Sequence, residues 1–200
     1  MSGRVVDVSP LPTYAFGHRS LLWWGTMGII AIEGTVVALL IVAYLYLHGR
    51  SPDWPPGTFR PPDLLWGTLN TILLLASTIP NQLAKSAAER LDAGQSKLWL
   101  SVALIVAAGF HVIRVFEFQT LNVWWDQNAY GSIVWCLLGF HTTHILIDAI
   151  DSLVLNVMLF TGHEDPCRLV DVSENALYWY FVVFSWLPIY AVIYLVPRVW

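Results

Sequence analysis

The chain carries little charge for its length. Only 12% of its 200 residues are Asp, Glu, Lys or Arg, whereas a soluble domain carries roughly a quarter. Hydrophobic residues make up 56% of the chain, and the mean hydropathy is +0.59. A chain this apolar cannot hide its surface in a water-soluble core. The composition therefore predicts a protein that is embedded in a membrane.

Basic blocks and paired cysteines are absent as well. The net charge is −4 with no run of Lys or Arg, which argues against nucleic acid as a partner. The two cysteines, Cys136 and Cys167, form neither a CxxC zinc motif nor a CxxCH heme-attachment motif. One lies in an apolar run and the other in a polar stretch, so a disulfide between them is not expected.

The first 20 residues lack the apolar core of a cleavable signal peptide. They are polar and contain Pro10 and Pro12. We expect residues 1–20 to form a cytoplasmic tail and the first hydrophobic helix to act as its own insertion signal.

Five segments are long and apolar enough to cross a bilayer, which takes ~20 residues in a helix. The segment "GRSPDWPPGTFRPPD" separates the first two, and its five prolines exclude a helix. Ser173 is the expected N-cap of the last helix. The sequence thus predicts an all-α integral membrane protein, with residues 21–200 as one five-helix bundle. The expected spans are 21–48, 63–84, 98–118, 131–160 and 176–196.

The distribution of Lys and Arg predicts the orientation, because cytoplasmic loops carry an excess of both. One set of alternate polar segments contains Arg4, Arg19, Lys85, Arg90, Lys97 and Arg168. The other set contains Arg50, Arg60 and Arg198. We therefore expect the N-terminus in the cytoplasm and the C-terminus outside.

Three ionisable residues in the first and third spans need an explanation, because a charge at the bilayer centre costs ~2.5–3.5 kcal/mol on insertion scales. Glu33 lies near the middle of the first span. It is either a neutral acid that is hydrogen-bonded to a neighbouring helix, or a proton-exchanging, carboxylate-reactive site. Arg114 and Glu117 are spaced i, i+3 near the outer end of the third span, which predicts a structural ion pair on one helix face.

The segment "GFHTTHILID" in the fourth span concentrates polar residues on one side of a helix. At 100° per residue, His141, His144, Asp148 and Asp151 fall within an arc of about 80° and a length of about 15 Å. This stripe cannot face lipid. It could bind a metal, form a proton antenna from the cytoplasmic side, or pack as a buried polar stripe that satisfies Glu33. The packing interpretation is favoured, since a tight metal site needs ligands from a second helix.

Several motifs, in the same order along the chain, resemble subunit III of heme–copper terminal oxidases. "GFHTTHILID" resembles the GFHGxHVxIG helix of that family, and "WGTMGIIAIEGTVVALL" resembles its helix with an intramembrane glutamate. "WPPGTF" resembles its WPPxGI loop, and "LNTILLLAS" its LNTxxLLxS helix. "FEF", "AYGSIVW" and the closing "ALYWYFVVFSWLPIYAVIYLVP" also have counterparts. The resemblance covers roughly residues 23–197 and implies the five-helix bacterial form, which lacks the first two of seven helices.

The chain departs from the family pattern at several positions. The final WHFVD motif of the family reads "WYFVV" here, so its histidine and aspartate are missing. Asp148 stands where the family has a glycine, and Asp151 is also unexpected. Part of the polar stripe is thus particular to this chain.

The resemblance implies an accessory subunit that binds no heme and no copper. Such a subunit packs against catalytic subunit I, beside subunit II, in a proton-pumping oxidase of a bacterial inner membrane. The partners hold heme and copper and pass electrons from cytochrome c or quinol to oxygen. The accessory subunit sustains proton uptake and protects the catalytic subunit, and its cleft binds phospholipid.

The family also implies roles for individual residues. Glu33 matches its carbodiimide-reactive carboxylate, and we expect a hydrogen bond from Glu33 to His141 or His144. Asp148 and Asp151 are not part of the family pattern, and our own hypothesis is that they form a local proton-collecting surface beside the uptake channel of the catalytic subunit.

Three other functions stay open at this point. The five-helix accessory protein of nitric oxide reductase systems shares the architecture, and the altered final motif is compatible with it. A membrane metalloenzyme could use the His/Asp stripe. A small transporter is disfavoured, because neither an internal repeat nor paired broken helices are present.

Overall fold

The computed structural model describes residues 14–199 of the chain, and the described part is helical without a β-strand. A short 3₁₀ helix, Gly17–Arg19, precedes five long helices. The fifth continues through a π-helical turn, Ala191–Leu195, into the short helix α6, Val196–Val199. The long helices are α1 Leu21–Arg50, α2 Leu64–Glu89, α3 Ala93–Gln119, α4 Ala129–Phe160 and α5 Pro166–Tyr190. The expected tail, 1–20, lies mostly outside the described residues.

Polar side chains cap three of these helices at their first turn, where backbone N–H groups lack partners within the helix. Ser20 Oγ accepts from Leu22 N at 3.1 Å before α1. Asp92 Oδ1 accepts from Gln95 N at 3.0 Å before α3. The Asn128 side chain accepts from Gly131 N at 2.8 Å before α4.

The last long helix begins earlier than the sequence predicted. It starts at Pro166, a favoured first helical residue, and not near 176. Ser173 is not its N-cap: it lies within α5 and donates to Glu89 Oε1 at 3.2 Å. The prediction was wrong because the polar residues of this first half suggested a loop, whereas several of them pack against other helices.

Within residues 14–199, four helical segments are long and apolar enough to span a membrane: α1, α3, α4 and the continuous stretch from α5 to residue 199. The remaining long helix, α2, contains three buried polar side chains that contact other helices. Asn70 donates to Glu117, Asn81 donates to the Ala176 carbonyl, and Ser77 accepts from Trp179. The polarity of α2 is thus directed into the bundle.

Contacts at the two ends of the bundle establish that successive helices alternate in direction. At one end, Asp63 N donates to the Thr120 carbonyl, and Asn122 Nδ2 to the Pro61 carbonyl, both at 3.2 Å. Arg198 reaches the same loop and donates to Pro62 O. At the other end, an ion pair joins Lys97, near the start of α3, to Glu164, which precedes α5.

Close packing of α2 against the end of α5 requires a glycine. A Cβ on Gly67 would overlap the ring of Tyr194, whose Cε1 would lie 2.8 Å away. The tyrosine lies in the π-helical turn just before Pro197. Because Pro197 cannot donate a backbone hydrogen bond and its ring crowds the preceding turn, the helix widens there.

Helix α1 is the least buried of the five. Only Val37 and Tyr44 of its residues are buried, and it contacts α4 and α5 at the side of the bundle. At its C-terminal end, Trp54 Nε1 donates to Tyr44 OH at 2.9 Å, and the Trp54 ring packs on Tyr130 of α4. Its other half is separated from α4 and α5 by a cleft, which contains most of the candidate functional residues.

Candidate functional site

Glu33 meets side chains from two other helices inside the bundle. Tyr178 OH on α5 donates to Glu33 Oε2 at 2.6 Å. On α4, His144 Nε2 lies 3.4 Å from Glu33 Oε1. The other ring nitrogen, His144 Nδ1, lies 2.7 Å from the Phe140 carbonyl oxygen. Glu33 therefore links α1 to both α4 and α5.

The contacts of His144 limit where protons can lie in this group. A carbonyl oxygen only accepts hydrogen bonds, so His144 Nδ1 carries a proton and Nε2 faces Glu33. One further proton can then lie between Nε2 and Glu33 Oε1. On the carboxyl it gives two neutral groups; on the imidazole it gives an ion pair. Both arrangements have zero net charge, which lets an acid occupy this depth at modest cost.

The cleft beside Glu33 has a volume of about 520 Å³ and lies between α1, α4 and α5. Its walls combine apolar side chains with five carboxyl groups and one guanidinium, and that guanidinium, of Arg168, lies 3.0 Å from Asp171 Oδ2. The cleft is therefore acidic along its length. The lining carboxyl groups are those of Glu33, Asp148, Asp151, Asp171 and Glu174.

Asp148 and Asp151 share one partner on α5. Asn175 Nδ2 lies 3.2 Å from Asp148 Oδ1 and 3.1 Å from Asp151 Oδ2, while Asn175 Oδ1 accepts from Ser152 at 2.9 Å. Asp151 is exposed, but Asp148 is only 2% exposed. The expectation that both aspartates form a surface was therefore wrong for Asp148, which lies in the interior. Its Oδ2 atom has no hydrogen-bond partner among the described residues.

His141 points away from Glu33, although it shares a helix face with His144. Its Nε2 lies 3.0 Å from the Val182 carbonyl, and its Nδ1 lies 3.3 Å from Arg114 Nη2. The carbonyl requires a proton on Nε2, which leaves Nδ1 to accept from the guanidinium. The imidazole also stacks on Trp186, with ring centroids 4.7 Å apart. Of the two histidines, only His144 has a contact with Glu33 among the described residues.

Arg114 and Glu117 form an ion pair in the interior, with Nη1 3.1 Å from Oε2. The sequence suggested a position near the membrane surface, yet the two residues are 1% and 0% exposed. Glu117 also accepts from Asn70 at 2.6 Å and from Tyr194 OH at 2.5 Å. The guanidinium lies over the Trp186 ring, 4.4 Å from its centroid. These contacts, and not solvent, compensate the burial of the pair.

Sequence reasoning missed Asn175 and Tyr178, which complete the cleft. Their spacing of i, i+3 places them on one face of α5. Because the last span was expected to start at 176, Asn175 was assigned to a loop. A helix that began at Asp165-Pro166 would have placed both residues opposite the His/Asp stripe.

Within residues 14–199, no group of three or more His, Cys, Asp or Glu side chains is arranged to hold a metal ion. The metal interpretation of the His/Asp stripe therefore has no geometry to support it. The stripe instead divides among three neighbours: His141 contacts α3 and α5, His144 contacts α1, and the aspartates contact α5.

Comparison with known proteins gives the same family throughout. The family model of cytochrome c oxidase subunit III matches residues 48–197. The cytochrome c oxidase subunit 3 of Thermostichus vulcanus is 26% identical over 189 residues, which is 92% of both chains. That of Corynebacterium diphtheriae is 28% identical and covers 94% of both. That of Pylaiella littoralis is 30% identical over 69% of this chain but only 53% of its own length. As the family model matches well over half of the sequence, the chain belongs to the cytochrome c oxidase subunit III family.

Proposed function

We propose that the chain is the accessory subunit III of a proton-pumping heme–copper terminal oxidase in aerobic respiration. Its membership in the family carries this proposal, together with relatives named cytochrome c oxidase subunit 3 that align over nearly the whole chain. In the complex, subunits I and II hold the heme and copper, while this chain contributes no redox centre. The nitric oxide reductase alternative is not favoured, since the relatives carry the oxidase name.

We infer that α2 also crosses the membrane, which gives five spans. Helices α1 and α3 on either side of it are apolar enough to span, and α2 connects opposite ends of the same bundle. Its buried asparagines explain its lower hydropathy without placing polar groups in lipid. The excess of Lys and Arg at the end with Lys97 and Arg168 supports a cytoplasmic N-terminus in a bacterial plasma membrane.

The role that we infer for Glu33 is structural. Its carboxyl group fastens the loosely packed α1 to α4 and α5 through His144 and Tyr178. An amide in the same place could keep both contacts, because its oxygen accepts from Tyr178 and its N–H can donate to His144 Nε2. The two interpretations of Glu33 therefore differ in whether a removable proton is needed there.

The acidic cleft supports a second role, in collecting protons for the catalytic subunit. Asp151 is exposed and Asp148 lies behind it, joined through Asn175. Carboxyl groups outnumber the single guanidinium along the walls of the cleft, and an excess of one sign of charge raises the local concentration of the opposite ion. Its apolar walls, which include Ile29, Ile147 and Val154, also suit the acyl chain of a bound phospholipid.

Purification of the tagged chain from its native membrane under gentle conditions tests the assignment to an oxidase. We expect copper and heme to copurify in a fixed ratio, because subunits I and II hold both. The reduced-minus-oxidised spectrum and the metal content are the measurements. Non-heme iron without copper would instead support the nitric oxide reductase alternative. Stoichiometric metal in the chain alone would contradict an accessory role.

The topology of α2 can be tested with single cysteines in a chain without its native cysteines. We expect Thr58→Cys to react with a membrane-impermeant maleimide from outside intact cells, and Arg90→Cys to react only after the membrane is opened. Both positions are exposed, so the difference reports sidedness and not burial. Equal labelling of the two from outside would rule out a fifth span.

The Glu33→Gln variant separates the structural role from proton exchange. We expect the turnover of the complex and the stability of the subunit to stay close to the original, because the amide can keep the contacts with Tyr178 and His144. Glu33→Leu leaves the Tyr178 hydroxyl and His144 Nε2 without partners, so it should cost about 1–3 kcal/mol in the free energy of unfolding. Turnover and a denaturant titration measure the two effects. A well-folded Glu33→Gln complex that has lost turnover would favour the proton-exchanging role.

The proton-collecting role predicts a defect that grows with pH. In Asp148→Asn/Asp151→Asn, we expect turnover and pumping to fall by about twofold or more at alkaline pH, where proton supply limits the rate. The matched control is Asp126→Asn, an exposed aspartate at the opposite end of the bundle. Unchanged turnover and pumping of the double variant at alkaline pH would dismiss the idea.

A further inference from the structure

A second cavity lies at the opposite end of the bundle from the acidic cleft. Its volume is about 440 Å³, within the range of small-molecule sites. It is enclosed by the end of α3, the loop that follows α3, the start of α4 and Phe59 of the loop before α2. Its position at the helix ends, beside exposed tryptophans, corresponds to the headgroup level of a membrane.

The walls of this cavity are aromatic. Trp124 stacks on Trp135 with ring centroids 5.5 Å apart, and Phe118 lies 5.0 Å from Trp135 on the other side. Trp135 is held in place because its Nε1 donates to the Val123 carbonyl at 2.8 Å. Trp124 remains 59% exposed, so one face of its indole is available.

Three primary amides lie among these rings, and each has unused hydrogen-bonding capacity within the described part of the chain. Gln127 accepts from Trp124 N through Oε1 at 2.9 Å, which leaves its NH₂ group unengaged. Asn122 donates to the Pro61 carbonyl, which leaves its oxygen. The side chain of Gln119 has no partner among residues 14–199. Donors and acceptors are therefore both available.

The cavity is formed before any ligand binds, because the loop that carries the amides is anchored. Leu121 and Val123 are buried. A Cβ on Gly131 would clash with the Trp124 backbone, so this glycine allows the loop to lie directly on the first turn of α4. Asn122 adopts φ +60°, a conformation that asparagine tolerates better than most residues.

The chemistry of the lining selects a neutral ligand with several hydroxyl groups. No charged side chain is among the lining residues described, so a charged headgroup would find no ion-pair partner here. A hydroxyl both donates and accepts, as a primary amide does, so neighbouring hydroxyls match the amides. The C–H groups on one face of a pyranose ring form an apolar patch that can pack on an indole.

We propose that this cavity binds the pyranose headgroup of a membrane glycolipid. The sugar ring packs on Trp124, its hydroxyls bond to Gln119, Asn122 and Gln127, and its lipid tail extends along the bundle into the bilayer. This binding site is separate from the acidic cleft and does not depend on the role proposed for Glu33.

The test uses the full chain in phosphatidylcholine nanodiscs, which contain no sugar, titrated with octyl β-D-glucopyranoside. Saturation-transfer NMR of the sugar protons reports binding. We expect Gln119→Leu and Trp124→Leu to weaken the affinity about fivefold or more, which corresponds to the loss of one hydrogen bond or stacking contact. The matched control, Gln95→Leu, replaces an exposed glutamine at the other end of the bundle and should bind like the original chain.

Two further ligands make the result decisive. Octyl tetraethylene glycol ether has the same tail without a sugar, and equal binding of this compound would overturn the proposal, as would a sugar affinity that neither variant changes. Methyl β-D-glucopyranoside has the sugar without the tail. If methyl β-D-glucopyranoside bound as tightly as the octyl compound, the cavity would recognise a free sugar, which would contradict binding of a glycolipid. Because the Gln119 side chain makes no hydrogen bond to the described residues, its variant tests the site even if Trp124→Leu disturbs the loop.

Discussion

The bundle depends on the buried ion pair of Arg114 and Glu117. Lipid offers no hydrogen bonds, so both charges must be satisfied by protein. They recruit Asn70 from α2, His141 from α4 and Tyr194 from the turn after α5, and this fixes the relative positions of four segments. Loss of one partner from such a pair costs about 3–5 kcal/mol, because it strands the other charge. The close approach of Tyr194 to Gly67 follows from the same requirement.

Helix α1 lies outside this centre, and its attachment follows a different rule. It has few buried residues and is held at one end by the Tyr44–Trp54 hydrogen bond and in the middle by Glu33. A single half-buried acid can attach a helix in lipid because lipid offers its partners, Tyr178 and His144, no alternative hydrogen-bonding group. Because α1 is attached at so few points, an open cleft remains beside it. Acidic groups that do not contribute to helix packing stay accessible there.

The sequence was sufficient for the features that depend on length and hydropathy. The helices α1, α3 and α4 end within a few residues of their expected bounds, since apolar runs mark them. The sequence-based prediction was wrong at positions where a polar side chain is paired with a side chain on another helix. The polar start of α5 was taken for a loop, Asp148 for a surface residue and Arg114 for an interface residue. Each lies in the interior because of side chains on other helices, such as Asn175, and a single sequence does not show which helices are neighbours.

Polar residues in this chain therefore have two roles, and only the fold distinguishes them. In α2 and in the first half of α5, polar groups are largely satisfied by other helices, so they specify which helices pack together. In the acidic cleft and in the aromatic cavity, hydrogen-bonding capacity is left over: one oxygen each of Asp148 and Glu174 in the first, three amides in the second. A buried oxygen without a partner is costly to maintain, whereas the three amides are exposed and can exchange solvent for a ligand. Where such groups are gathered in a cavity, a ligand or a proton is the simplest reason for them to remain.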